Sequence, residues 1–260
     1  MVLTDPYANA FNEAPNGNCY AHDLTEMGPY IWERKYEVDS LCAPVYLIYR
    51  YWKASGKTDI FDGRIHDMLL LIRTVFSREQ KHGESAYSFD RKNCVETYTL
   101  PCGGKVNPTG HTGMTWSGFR PSDDICIYGY LIPSQIMAVK AMEYAEEILR
   151  TVYQEEESAG KCRKLAGEIE DGIKRYGITE LPPFGKIYAY ETDGLGNYVF
   201  MDDANCPRLL SLPYLEYCTA EDAVYKHNKA YLLSEENPCY FRGSVIKGGG
   251  STPPKKGHVW

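Results

Sequence analysis

Apolar residues recur at helical spacing before any other pattern is visible. Between positions 38 and 55, Leu41, Val45, Ile48 and Trp52 fall on one helical face, and Gly56 is placed to end the helix. The next stripe reads Phe61, Ile65, Met68, Ile72 and Phe76, with Asp59 as the candidate cap. Together they predict a helical hairpin with a short turn from Ser55 to Thr58. A second hairpin is predicted downstream. Its first helix starts at Ser134, behind Pro133, and turns Ile136, Val139, Met142, Ala145, Leu149 and Val152 inward. Its partner runs from Ser158 to Tyr176, with Cys162, Leu165, Ile169 and Ile173 inward and Gly177 as the stop. Further helical stretches are predicted from Leu209 to Leu215 and from Ala220 onward, with Asp222 in the first turn of the latter.

Two regions break this rhythm. Residues 81–130 show no sustained period but hold Tyr87, Phe89, Tyr98, Trp116 and Phe119. A loop that long is usually functional or disordered, and its aromatic content argues for function. The segment Ile187-Tyr188-Ala189-Tyr190 reads as a strand, with turns at Asp193-Gly194 and Gly196-Asn197 forming a small β-hairpin. The stretch from Gly248 through Lys256 is expected to be irregular. Helical hairpins with short turns at one end and long, acid-bearing loops at the other suggest an α/α toroid, in which loops at one end line a pocket.

Composition narrows the function classes. At 43% hydrophobic and 24% charged residues, the chain is an ordinary globular protein. A net charge of −7 disfavours nucleic acid and anionic membranes, since phosphate binding concentrates Lys and Arg on one face. The 22 tyrosines combine apolar rings with hydroxyls, a pairing that suits sugars, although most are expected to fill helix interfaces. The nine cysteines include no C-x-x-C pair, which removes support for zinc-ribbon or thioredoxin chemistry. Cys42, Cys162 and Cys206 are expected to be buried small hydrophobes. Such usage suits a reducing compartment, and with no signal peptide at MVLTDPYANAF the expected location is cytoplasmic.

The acids in the long loops carry the candidate chemistry. Asp123 and Asp124 follow Trp116-Ser117-Gly118-Phe119-Arg120-Pro121-Ser122, and Asp202 and Asp203 follow Met201. Glu37 and Asp39 open the first long helix, and Glu191 and Asp193 sit on the strand and its turn. Crowded carboxylates repel, so one of them can keep its proton and act as a general acid. A tryptophan to stack on a sugar and an arginine fork beside such a pair, Trp116 and Arg120, fit a sugar site. Capping of a helix start is the competing role for each of these acids taken singly. His111 is expected to be a structural hydrogen bonder.

Four blocks then carry a resemblance: Asp5-Pro6-Tyr7-Ala8-Asn9-Ala10-Phe11-Asn12, Tyr36-Glu37-Val38-Asp39-Ser40-Leu41-Cys42, the run from Thr112 to Asp124, and the run from Met201 to Tyr214. In that order they resemble the DPYANAFN, YE-x-DSLC, TGM-x-WSGFRPSDD and MDDAN-x-P-x-LLSLPYL segments of glycoside hydrolase family 125. The resemblance implies an (α/α)6 barrel and a metal-independent, inverting exo-α-1,6-mannosidase without a cofactor, acting on α-mannoside oligosaccharides or N-glycan-derived substrates. It places the catalytic acid on Asp123 or Asp124, without separating them. Trp116 and Arg120 would shape the pocket, with Glu37, Asp39, Asp203 and Asn205 as hydroxyl-binding or supporting groups.

The sequence also departs from the family pattern. No match to its WLRDS or MHES motifs is found, and MHES carries the general base. Residues 251–260 resemble a disturbed GSPHTPPG-x-x-W stretch. The expectation is therefore a partial (α/α)6 domain over residues 1–260, with hydrolase activity impaired by truncation. A mannoside-binding remnant and another α/α-toroid glycosidase are the alternatives.

Overall fold

The computed structural model describes residues 1–20, 22–105 and 107–251. Strands β1 (Ala10–Phe11) and β2 (Ile31–Glu33) pair antiparallel and lead into helix α1 (Val38–Ser55). Leu41, Val45 and Ile48 are buried along α1 as the spacing predicts, and Gly56 ends it with φ +70°. Helix α2 (Gly63–Glu79) is capped by Asp62 in place of Asp59: the Asp62 carboxylate accepts the amides of Arg64 at 2.9 Å and Ile65 at 3.1 Å. Asp62 directly precedes the first helical residue, which is where a side chain can reach those orphan N–H groups. Phe61 consequently lies outside the helix and packs edge-on against Trp52.

A short turn, α3 (Pro101–Gly104), and strand β3 (Tyr130–Leu131) follow. Helices α4 (Ile132–Thr151) and α5 (Glu156–Gly172) form the second hairpin, and α5 runs on through a wide turn to Gly177. Helix α1 packs mainly on α4, where Tyr49 stacks on Tyr144 with ring centres 3.9 Å apart and donates to Glu147 at 2.6 Å. The two predicted hairpins are thus pressed together through their first helices.

Four antiparallel strands follow in two pairs. β4 (Ile178–Leu181) pairs with β5 (Gly185–Tyr188). β6 (Glu191–Thr192) pairs with both β3 and β7 (Tyr198–Val199). Asp193 organises the predicted β6–β7 turn by accepting the amides of Leu195 and Asn197. The stretch from Leu209 forms only a single turn of 3₁₀ helix, Leu209–Ser211, before irregular chain. Helix α6 (Ala223–Leu232) begins after Asp222, which caps it by accepting the Tyr225 amide at 2.9 Å. Lys247–Gly249 was expected to be irregular but forms strand β9 against β8 (Tyr240–Arg242), while residues 252–260 lie outside the described residues. Cys42 and Cys162 are buried, but Cys206 is exposed because its segment is not helical. Among the described residues no helix is long and apolar enough to cross a membrane.

The fold is therefore rich in paired helices, with short strands gathered around the loops that carry the acids. α4 forms its spine, buried from Ile132 to Leu149.

Candidate active site

The site grows out of an alternation the helical reading passed over. After β2 the chain stays extended as far as Glu37, which caps α1 at φ −122° and ψ 125°. Side chains two apart in extended chain point the same way, so Glu33, Lys35 and Glu37 share a face, with Asp39 entering from the first turn of α1. The Asn9 side-chain amide stitches that face to the acid loop. It lies 3.1 Å from Glu33 Oε2, 3.4 Å from Glu37 Oε1 and 3.2 Å from Asp123 Oδ1.

Asp123 sits on a tight turn. Its amide donates to the Arg120 carbonyl at 3.0 Å, the Arg120 amide donates to the Asp124 carbonyl at 2.8 Å, and its own φ is +65°. Lys35, whose side chain is buried, holds this turn from beneath. Its Nζ donates to the Asp123 carbonyl at 2.8 Å and stands 3.6 Å from Asp123 Oδ1 and 3.8 Å from Glu33 Oε1. The Asp123 carboxylate is 55% exposed, whereas Asp124 is buried.

The carboxylates here are crowded enough to shift one another. Burial pushes Glu37 well above the usual carboxylate range, and Asp39 and Asp123 add to the push, against a hydrogen bond from Ser40 Oγ at 2.7 Å. Burial raises Asp39 to about 7; the Ser134 hydroxyl at 3.2 Å opposes this, and the charges of Asp203 and Asp123 add to it. Glu37, Asp39, Asp123 and Asp203 thus stand within electrostatic reach of one another, as a shared site requires. Asp203 is wholly buried and accepts the Tyr190 hydroxyl at 3.0 Å and the Asn205 amide at 2.9 Å. Its neighbour Asp202 plays the capping role: it accepts the Leu209 amide at 2.8 Å and pairs with Arg208 at 3.0 Å.

Trp116 and Arg120 turn into the protein, and Asn205 supports its neighbours. Trp116 has no exposed face on which a sugar could stack. It lies flat on the His82 ring at 3.4 Å and beside Tyr36 at 6.1 Å. Arg120 is buried and ion-paired with Glu191, over the Tyr190 ring, so its fork grips the protein's own carboxylate. Asn205 turns its amide to Ser251 at 3.1 Å. Sequence reasoning missed Asn9, Glu33, Lys35 and Ser134; the charge at every second position from Glu33 to Asp39 is the signal that could have found the middle two. His111 hydrogen-bonds the Gln80 carbonyl at 3.2 Å. No group of three or more His, Cys, Asp or Glu among the described residues is arranged to hold a metal ion. A cavity of about 700 Å³ lies elsewhere, between the end of α2, the 111–113 loop and α5.

Crowded carboxylates with raised proton affinity, on loops around paired helices, are an arrangement that glycoside hydrolases use. The chain belongs to glycoside hydrolase family 125, the metal-independent α-mannosidases, whose model matches residues 1–260. It is 35% identical over 279 residues to the Meiotically up-regulated gene 157 protein of Schizosaccharomyces pombe (strain 972 / ATCC 24843), covering all of this chain and 55% of that protein. A solved structure from Streptococcus pneumoniae, one of a family of metal-independent alpha mannosidases in non-productive complex with alpha-1,6-mannobiose, matches with a TM-score of 0.96 and 42% identity. That match covers 100% of this chain and 62% of the other. The chain therefore spans a little over half the length of these relatives.

Proposed function

We propose that this chain carries the proton-donating part of an inverting exo-α-1,6-mannosidase site within an (α/α)6 barrel, with Asp123 as the general acid. The observation that carries this reading is the half-exposed Asp123 carboxylate on its left-handed turn, beside Glu37, which burial pushes well above the usual carboxylate range, and Asp39, which burial raises to about 7. Of the two loop aspartates, Asp123 rather than the buried Asp124 can reach a glycosidic oxygen. The alpha-1,6-mannobiose bound by the Streptococcus pneumoniae relative supports an α-1,6-mannoside as substrate.

In this reaction the Asp123 proton passes to the glycosidic oxygen as the bond to the anomeric carbon breaks. Water attacks that carbon from the opposite face, and a second carboxylate roughly 6.5–9.5 Å from the acid takes the water's proton. The products are β-mannose and the free 6-hydroxyl of the next sugar.

NMR of α-1,6-mannobiose hydrolysis tests the reading: β-mannose is expected first, and Asp123→Asn should lower kcat/KM by about 10²–10⁴. α-Mannose as the first product, or an unchanged rate in Asp123→Asn, would overturn it. A chain that binds mannobiose in calorimetry but never hydrolyses it is the mannoside-binding remnant instead.

A further inference from the structure

With Trp116 sealed in the core, the acid site needs another ring against which a sugar can lie. Two half-exposed tyrosines stand beside it. Tyr98 is 38% and Tyr20 is 42% exposed. Tyr98 is tied to the acid loop, because the Ile125 amide donates to the carbonyl of the adjacent Thr97 at 2.8 Å, two residues beyond Asp123. Its ring also lies 4.7 Å from Lys35 Nζ, the ammonium that holds Asp123. Tyr20 is braced from behind: the Arg91 guanidinium lies 3.9 Å from its ring centre and is itself fixed by Asp23 and Glu33. Burial raises the Tyr98 hydroxyl above its ordinary range, and Asp124, Asp123 and Tyr20 add to the effect.

We propose that Tyr98 and Tyr20 form a stacking shelf for the second sugar of the substrate, the one whose 6-oxygen leaves. The shelf rests on the mannosidase reading above and deepens it. A pyranose presents a face of C–H groups that packs on an aromatic ring, while the tyrosine hydroxyls remain free to bond its edge. A 1,6 linkage inserts an extra rotatable carbon between the two sugars. Holding the second ring against a fixed platform removes that freedom before reaction, and a platform fastened to the acid loop places the bridging oxygen at Asp123.

Calorimetry on the full chain tests this with mannose and α-1,6-mannobiose as separate ligands. Tyr98→Ala should weaken mannobiose about tenfold, leave mannose unchanged and leave the melting temperature near that of the parent. Tyr98→Phe, which keeps the ring, should restore most of the loss, and Tyr20→Ala should reproduce a smaller part of it. Unchanged mannobiose affinity in both alanine variants overturns the shelf alone. So does an equal loss for mannose and mannobiose, which would place Tyr98 under the first sugar or under the loop. Failure of the parent chain to bind either sugar overturns the mannosidase reading as well, and the shelf with it.

Discussion

Two buried acidic regions lie close together in this molecule and behave in opposite ways. Glu79, at the end of α2, is wholly buried, yet it has as many donors as it can use: the Tyr7 hydroxyl at 2.7 Å, the Ser85 hydroxyl at 2.6 Å and His82 Nδ1 at 2.7 Å. Across Tyr36, Glu33, Glu37 and Asp123 share the Asn9 amide, while burial pushes Glu37 well above the usual carboxylate range and raises Asp39 to about 7. A lone carboxylate with its own set of donors is a structural fixture, whereas carboxylates that crowd one another and share a donor are poised to exchange protons.

That contrast can be broken at three points. The largest effect is expected at Glu79. Glu79→Ala strips partners from Tyr7, Ser85 and His82 inside the core, so urea unfolding should show a loss of about 3–5 kcal/mol. A loss under 1 kcal/mol would mean the two regions do not differ as described.

An intermediate effect is expected at Asp39. Its folded-state value of about 7 lies above the ordinary aspartate value, so the native state binds the extra proton. Its contribution to stability is therefore complete below about pH 4 and is lost as pH rises through about 7. Asp39→Asn removes this dependence. Relative to the parent, the variant should gain about 3–4 kcal/mol between pH 4 and pH 8, read from melting temperatures across that range. A constant difference at every pH would contradict the assignment.

The smallest effect is expected at Ser40. Its hydroxyl opposes the upward push on Glu37, so Ser40→Ala should raise the Glu37 titration further while changing stability by about 1 kcal/mol or less. Carboxyl ¹³C NMR of Glu37 reads this directly, and a downward movement would reverse the argument.

Much of the fold was legible because helical periodicity is local. The stripes through Leu41 and Ile136 lie on buried faces, and the stops at Gly56 and Gly177 fall where the structure ends those segments. The gathering of Glu37, Asp39, Asp123 and Asp203 was legible only through the motif blocks. Their contacts span up to 114 residues, as from Asn9 to Asp123, and no local pattern encodes a donor at that separation. The inward packing of Trp116 and Arg120 was illegible for a related reason. A ring and a fork near acids look the same in sequence whether they face a ligand or a neighbour, and only packing separates His82 and Glu191 from a sugar. Cap identity at Asp62 and the pairing of β9 depended on choices of one to three residues, finer than a hydrophobic stripe can specify.

The packing around Trp116 has a consequence for protein engineering. A methyl group added at Gly129, where φ is +78°, would stand 2.6 Å from the indole, and one at Gly118 would stand 3.0 Å from its far edge. The indole is therefore moulded on both sides, and the Asp123 turn four residues beyond Phe119 extends from that mould. Grafting Asp123 onto another scaffold would require transplanting the cast as a unit, with Tyr36, His82, Gly118 and Gly129 together, alongside the Lys35 and Asn9 contacts that aim its carboxylate.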